Sequence, residues 1–220
     1  MPAGPQTDNT SLPLKLALRR KLLAPFAESH ELRVMDCCAG GRRIWTALRK
    51  EFPVKSYIAF DKKRLPGTLR VDSARWIRQV GLLGNVIDVD TYGEPWPQYF
   101  AALEAAWPGP QILVFLTLGM GLGTLGKISK AVLKAAGLKP HWHNRLPPAS
   151  LQLRDIFLSY CLTRGCDNGT IITEAWEASP AGSETRYFGL RLRRRKHASA
   201  VRKKAAPTTA GPQRKGADRG

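Results

Sequence analysis

Acidic residues are scarce in this chain of 220 residues: 17 Asp and Glu stand against 35 Lys and Arg, a formal net charge of +18. With a sequence pI near 10.3, that imbalance argues against a cationic partner and for a polyanion, nucleic acid before all others. No apolar run reaches the roughly 18 residues of a spanning helix, so no membrane partner is expected. The opening, MPAGPQTDNT, lacks the charged and apolar regions of a secretory signal, and the expected location is cytoplasmic. Cysteine is limited to four, two of them adjacent at Cys37 and Cys38, which makes no disulfide framework at this length. His141, His143, Cys161 and Cys166 fit no zinc spacing, so no metal is expected and the thiols read as free and buried. No internal repeat is visible, and 43% hydrophobic content suffices for one core in one domain.

What the chain does contain is an alternation of short apolar runs and helical stretches. Residues 1–10 are small and polar and read as a disordered start; the tail 193–220 is Arg, Lys, Ala, Pro and Gly without apolar bulk, and reads as a disordered polyanion binder. Between them lies one domain, 11–192, opening on a basic, roughly amphipathic helix over 11–26 whose expected role is to cover one sheet face. Glu31 to Cys38 reads as a first strand, Ala39, Gly40 and Gly41 as a turn, and Arg42 to Glu51 as a helix. A second strand, Ser56 to Phe60, ends at Asp61, where a ribose-binding carboxylate is expected in a nucleotide-binding unit. Thr68 to Val71 has room for a short strand at best, and Asp72 with Ser73 opens a helix to about Val80. Gln111 to Leu118 reads as a buried parallel strand, and Gly169 to Trp176 with Arg186 to Leu192 as an antiparallel pair.

The stretch Asn85 to Pro95, NVIDVDTYGEP, carries the most chemistry. Val86, Ile87 and Val89 make it a buried strand, while Asp88 and Asp90, two residues apart, share one face at its end. An unpaired buried carboxylate is costly, so this edge is expected to open onto a ligand or a cation.

Taken in order, these signals resemble the class I S-adenosylmethionine-dependent methyltransferases. DCCAGG (Asp36 to Gly41) looks like that family's first motif, Asp61 like its acid after the second strand, and Asp72, Ser73 and Ala74 like its third motif. DTYGEP (Asp90 to Pro95) resembles the fourth motif of the amino-methylating branch, written Asp-Pro-Pro-Tyr in many DNA enzymes, and is closer to the Asp-Pro-Phe-Gly-Ser-Pro run of tRNA guanine-N2 dimethyltransferases. The resemblance covers about residues 31 to 192. It implies an α/β, Rossmann-like fold: a mostly parallel sheet with helices on both faces and a C-terminal antiparallel strand pair. It further implies S-adenosyl-L-methionine as cofactor, held by Asp36, Ala39, Gly40, Gly41, Asp61, Asp72, Ser73 and Asp88. Asp90 and Tyr92 would then position an exocyclic amine of a base in RNA or DNA, with Thr91, Trp142 and Arg145 binding the substrate.

The departures are specific. Arg42 stands where the family commonly has a second glycine, followed by Arg43; Thr91 replaces a proline and Glu94 a serine. Two alternatives therefore stay open: a nucleic-acid-binding protein that kept the sheet and lost the cofactor, and a nicotinamide-dependent oxidoreductase using the Gly121, Gly123, Gly126 turn. Each acid also has a plain structural reading, as a helix cap or a turn closed by its own side chain.

Overall fold

The computed structural model describes residues 11–91, 93–118, 158–159, 161–164, 169–181 and 185–195. Tyr92, the glycine turn at 121–126, His141, Trp142, His143 and Arg145, Cys166, the first ten residues and the tail from 196 lie outside them.

The chain forms α1 (Leu12–Ala27), β1 (Leu32–Asp36), α2 (Arg43–Leu48), β2 (Val54–Asp61), β3 (Leu69–Arg70), α3 (Ser73–Val80), β4 (Val86–Val89), α4 (Trp96–Glu104), β5 (Gln111–Leu118), β6 (Thr170–Ala178) and β7 (Arg186–Arg194). Among the described residues seven strands make one sheet in the order β3-β2-β1-β4-β5-β7-β6. The first five run parallel; β7 inserts antiparallel between β5 and β6. The architecture is the Rossmann-like sheet expected, antiparallel pair included. Strand order reverses between β1 and β4, the switch point at which open α/β sheets form their crevice.

Strand parity sorts the core into two layers. Met35, Ile87, Val89, Val114 and Leu116 face α3 and α4, where Trp96, Tyr99 and Phe100 are buried. Val34, Val86, Leu113 and Phe115 face α1 and α2, where they meet Leu22, Leu23, Phe26, Trp45 and Leu48. α1 lies close against the sheet because β7 offers Gly189 beneath it: a Cβ there would collide with Leu22.

Local chemistry sets the other boundaries. Asp72 caps α3 by accepting from the Arg75 amide at 3.1 Å. α2 starts one residue later than the sequence suggests, because Arg42 sits before it at φ 55°, a left-handed conformation that a side chain strains to adopt. It stops at Leu48, where the Lys50 and Glu51 amides turn back three residues to Ala47 and Leu48. Gly40, with φ 47°, takes the same region without that strain.

Candidate functional site

Parity also decides where the acids go. Asp36 and Asp88 are register partners on adjacent β1 and β4, and both point to the α1/α2 face, as do Asp90 and Thr117 beyond them. At the carboxyl edge of these strands lies a small cavity of about 60 Å³, lined by Asp36, Ala39, Gly41, Arg42, Asp88 and Asp90 among others. The loop after β1 and the acid after β4 thus meet at one spot.

Three carboxylates so close together need cations, and α1 supplies two, one turn apart on one face. Arg19 grips Asp88 with two hydrogen bonds, Nε to Oδ2 at 2.8 Å and Nη2 to Oδ1 at 2.6 Å, and both side chains are 1% exposed. The Trp45 indole donates to the same Asp88 Oδ2 at 2.8 Å. Lys15 donates to both oxygens of Asp90, at 2.7 and 2.9 Å, and Thr117 donates to Oδ1 at 2.6 Å. The Asp90 side chain keeps 22% of its surface exposed. Burial would raise its pKa, but Arg19 and Lys15, with the bonds from Lys15 and Thr117, outweigh burial and hold the carboxyl below the usual range.

Among the described residues Asp36 has no cation within salt-bridge distance, and its one side-chain hydrogen-bond donor is the Tyr57 hydroxyl, at 2.7 Å. Burial first, and the neighbouring Asp88 next, push its carboxyl well above the ordinary value. Cys38 also lines the cavity, and burial together with Asp36 pushes its thiol up to about 12, so it stays protonated and is no nucleophile at neutral pH.

The predicted cofactor residues on β2 and α3 are engaged as well. Asp61 accepts from the Gly40 amide at 3.1 Å and the Lys63 amide at 2.8 Å. Asp72, besides capping α3, pairs with Lys62 at 3.0 Å. Buried Ser73 donates to the Cys37 carbonyl at 2.8 Å and ties α3 to the end of β1. Thr91 accepts from the Gly93 amide at 3.0 Å, closing the turn after β4. Arg42 reaches from the loop after β1 to the loop after β2, its guanidinium donating to the Gly67 carbonyl at 3.4 Å.

Lys15, Arg19, Trp45, Tyr57 and Thr117 belong to the site, and the motif-by-motif sequence reading missed them. The i, i+4 spacing of Lys15 and Arg19 on a helix set against a strand with acids at i and i+2 was the available signal.

No protein-family model matches the chain, and no curated protein does. Solved structures do. Trm1 from Pyrococcus horikoshii, in complex with S-adenosyl-L-methionine, superposes with a TM-score of 0.57 at 14% identity, over 90% of this chain and 60% of that one. The likeness is one of fold. A Streptococcus thermophilus protein assigned as a hemolysin superposes with a TM-score of 0.51, again at 14% identity, over 91% of this chain and 74% of that one. The chain therefore spans well under the full length of Trm1 while carrying the same sheet.

Proposed function

We propose that this protein transfers a methyl group from S-adenosylmethionine to an exocyclic amino group of a nucleic-acid base. The observation that carries the reading is the shared cavity at the β1/β4 switch point, where Asp36, Ala39 and Gly41 meet Asp90. A solved structure of the same fold, Trm1, holds S-adenosylmethionine.

The chain's residues fit that cofactor in kind. Asp61 stands at the end of β2 beside Gly40, and a carboxylate there suits ribose hydroxyls; Asp88 and Asp90 add negative potential beside Asp36 in the cavity for a sulfonium and an ammonium. They fit it in space only once Arg42 moves, since an adenosyl ligand needs a cleft several times larger than about 60 Å³. The move is small: the Arg42 bond to Gly67 is long and made by the far end of a flexible side chain.

When bound, the cofactor supplies an electrophilic methyl group. The chain's task is to present the amine. An exocyclic amine donates its electron pair into the ring, so Asp90 must accept one N–H to turn that pair outward. Asp90 is suited to this: it stays ionised, Thr117 fixes its orientation, and only Lys15 has to release an oxygen. Tyr92, two residues on, is the candidate stacking ring, worth about 1–3 kcal/mol by comparison with other base-stacking aromatics. The base must leave any duplex to arrive.

The experiment is transfer of labelled methyl from S-adenosylmethionine to single-stranded RNA and DNA, with Asp90→Asn beside wild type. Incorporation that falls at least a hundredfold in Asp90→Asn supports the reading. No incorporation into either polymer by a protein that binds both would favour the second reading, a nucleic-acid binder without the enzyme activity, for which the Arg42 bridge to Gly67 speaks.

A further inference from the structure

Some exposed cations of this protein are answered by acids: Arg20 by Glu51, Lys55 by Glu31 and Arg78 by Glu104. Lys21, Arg49, Lys50, Arg193 and Arg195 have no acid within salt-bridge distance among the described residues. At the carboxyl ends of β1, β2 and β3 lie six more, of which only Lys62 is answered, by Asp72, among the described residues. Arg43 opens α2, Lys62, Lys63 and Arg64 follow β2 directly, Arg70 is β3 itself, and Arg75 lies in the first turn of α3. All are exposed.

The acids on that rim are already occupied. Asp61 is held by two backbone amides, and Asp72 by its cap and Lys62. Among the described residues, Arg43, Lys63, Arg64, Arg70 and Arg75 therefore have no acid within salt-bridge distance. Holding that many like charges together is repulsive, and Arg75 at the start of α3 opposes the helix dipole as well. Leu69, beside Arg70 on the edge strand β3, is 46% exposed.

We infer that this rim is the docking surface for a single nucleic-acid strand, whose phosphates lie on Lys63, Arg64, Arg70 and Arg75 while a base or sugar face rests on Leu69. The inference rests on the proposed function for the choice of a single strand, and it assigns the path by which that strand reaches Asp90. Phosphate neutralisation accounts for the cations, and the exposed Leu69 favours a nucleotide chain over free phosphate.

The test is fluorescence anisotropy of the full chain with a labelled single-stranded RNA of mixed sequence, across a salt series. Removing four phosphate contacts in Lys63→Gln/Arg64→Gln/Arg70→Gln/Arg75→Gln should lower the slope of log K against log salt by about 3, at roughly 0.7 per contact. The same number of charges removed from the tail, in Arg202→Gln/Lys203→Gln/Lys204→Gln/Lys215→Gln, serves as the comparison. A wild-type slope in the rim variant overturns the inference and leaves binding to the tail. So does a rim variant that keeps RNA binding but loses binding to phosphatidylserine vesicles. Should the fourfold variant fail to fold, Arg64→Gln and Arg70→Gln singly must each lower the slope by about 0.7. Calorimetric titration with S-adenosylhomocysteine separates the two claims: if wild type does not bind it while the rim slope changes as expected, the enzyme reading falls and the docking surface stands.

Discussion

The two halves of the sheet's carboxyl edge answer charge in opposite ways. On β4, both acids are met by cations of α1, Asp88 by Arg19 in full burial and Asp90 by Lys15 at the surface. Beyond β2 and β3, Asp61 accepts from two backbone amides and Asp72 caps α3 and pairs with Lys62, while Lys63, Arg64, Arg70 and Arg75 have no acid within salt-bridge distance among the described residues. The first half is a charge-balanced set of carboxylates and cations; the second carries exposed cations in excess of its acids. What separates them is which element lies above: α1 covers β1, β4, β5 and β7, whereas β2 and β3 end in loops.

The sharpest way to break this contrast is at Arg19. Arg19→Ala leaves Asp88 buried without its cation and should cost about 3–5 kcal/mol in urea unfolding. Lys15→Ala, acting on a carboxylate with exposure to water, should cost about 1 kcal/mol. Equal losses would mean that the two acids of β4 are held alike and that Asp90 is no more available to a substrate than Asp88.

pH sharpens the same contrast, because Asp36 and Asp90 depart from the ordinary value in opposite directions. Asp90 is depressed in the folded state, so its contribution is present above the unfolded pKa and is lost as pH falls through the folded one. Asp36 is raised, so its contribution is present below the unfolded pKa and is lost as pH rises through the folded one. Asp36→Asn, which keeps an acceptor for Tyr57, should flatten the loss on the rising side and leave the protein more stable at neutral pH, by about 1 kcal/mol for each pH unit of the raised range removed. Unfolding of this variant followed from acid to neutral pH checks the sign; a curve parallel to wild type would place the strain elsewhere.

Much of this was legible in the sequence, for identifiable reasons. Apolar runs ending in acid or glycine marked β1, β2 and β4, and the chain order of those runs implied the parallel sheet and its final antiparallel pair. The acids of the site were legible too, since a carboxylate at a strand end is conspicuous. Their partners were not. Arg19 meets Asp88 across 69 residues and Lys15 meets Asp90 across 75, contacts that only the docking of α1 onto Gly189 brings about. Nor does a sequence show that Asp61 spends both oxygens on the amides of Gly40 and Lys63, a consequence of loop geometry.

The central claim is that the cavity lined by Asp36, Ala39, Gly41 and Asp90 receives an adenosyl cofactor once Arg42 turns aside. Calorimetric titration of S-adenosylhomocysteine into wild type and Arg42→Gly tests it most directly. The substitution relieves a left-handed backbone worth about 1 kcal/mol and removes the bridge to Gly67. The account predicts saturable binding to wild type and binding several-fold tighter in the variant; heat of dilution alone in both would contradict it.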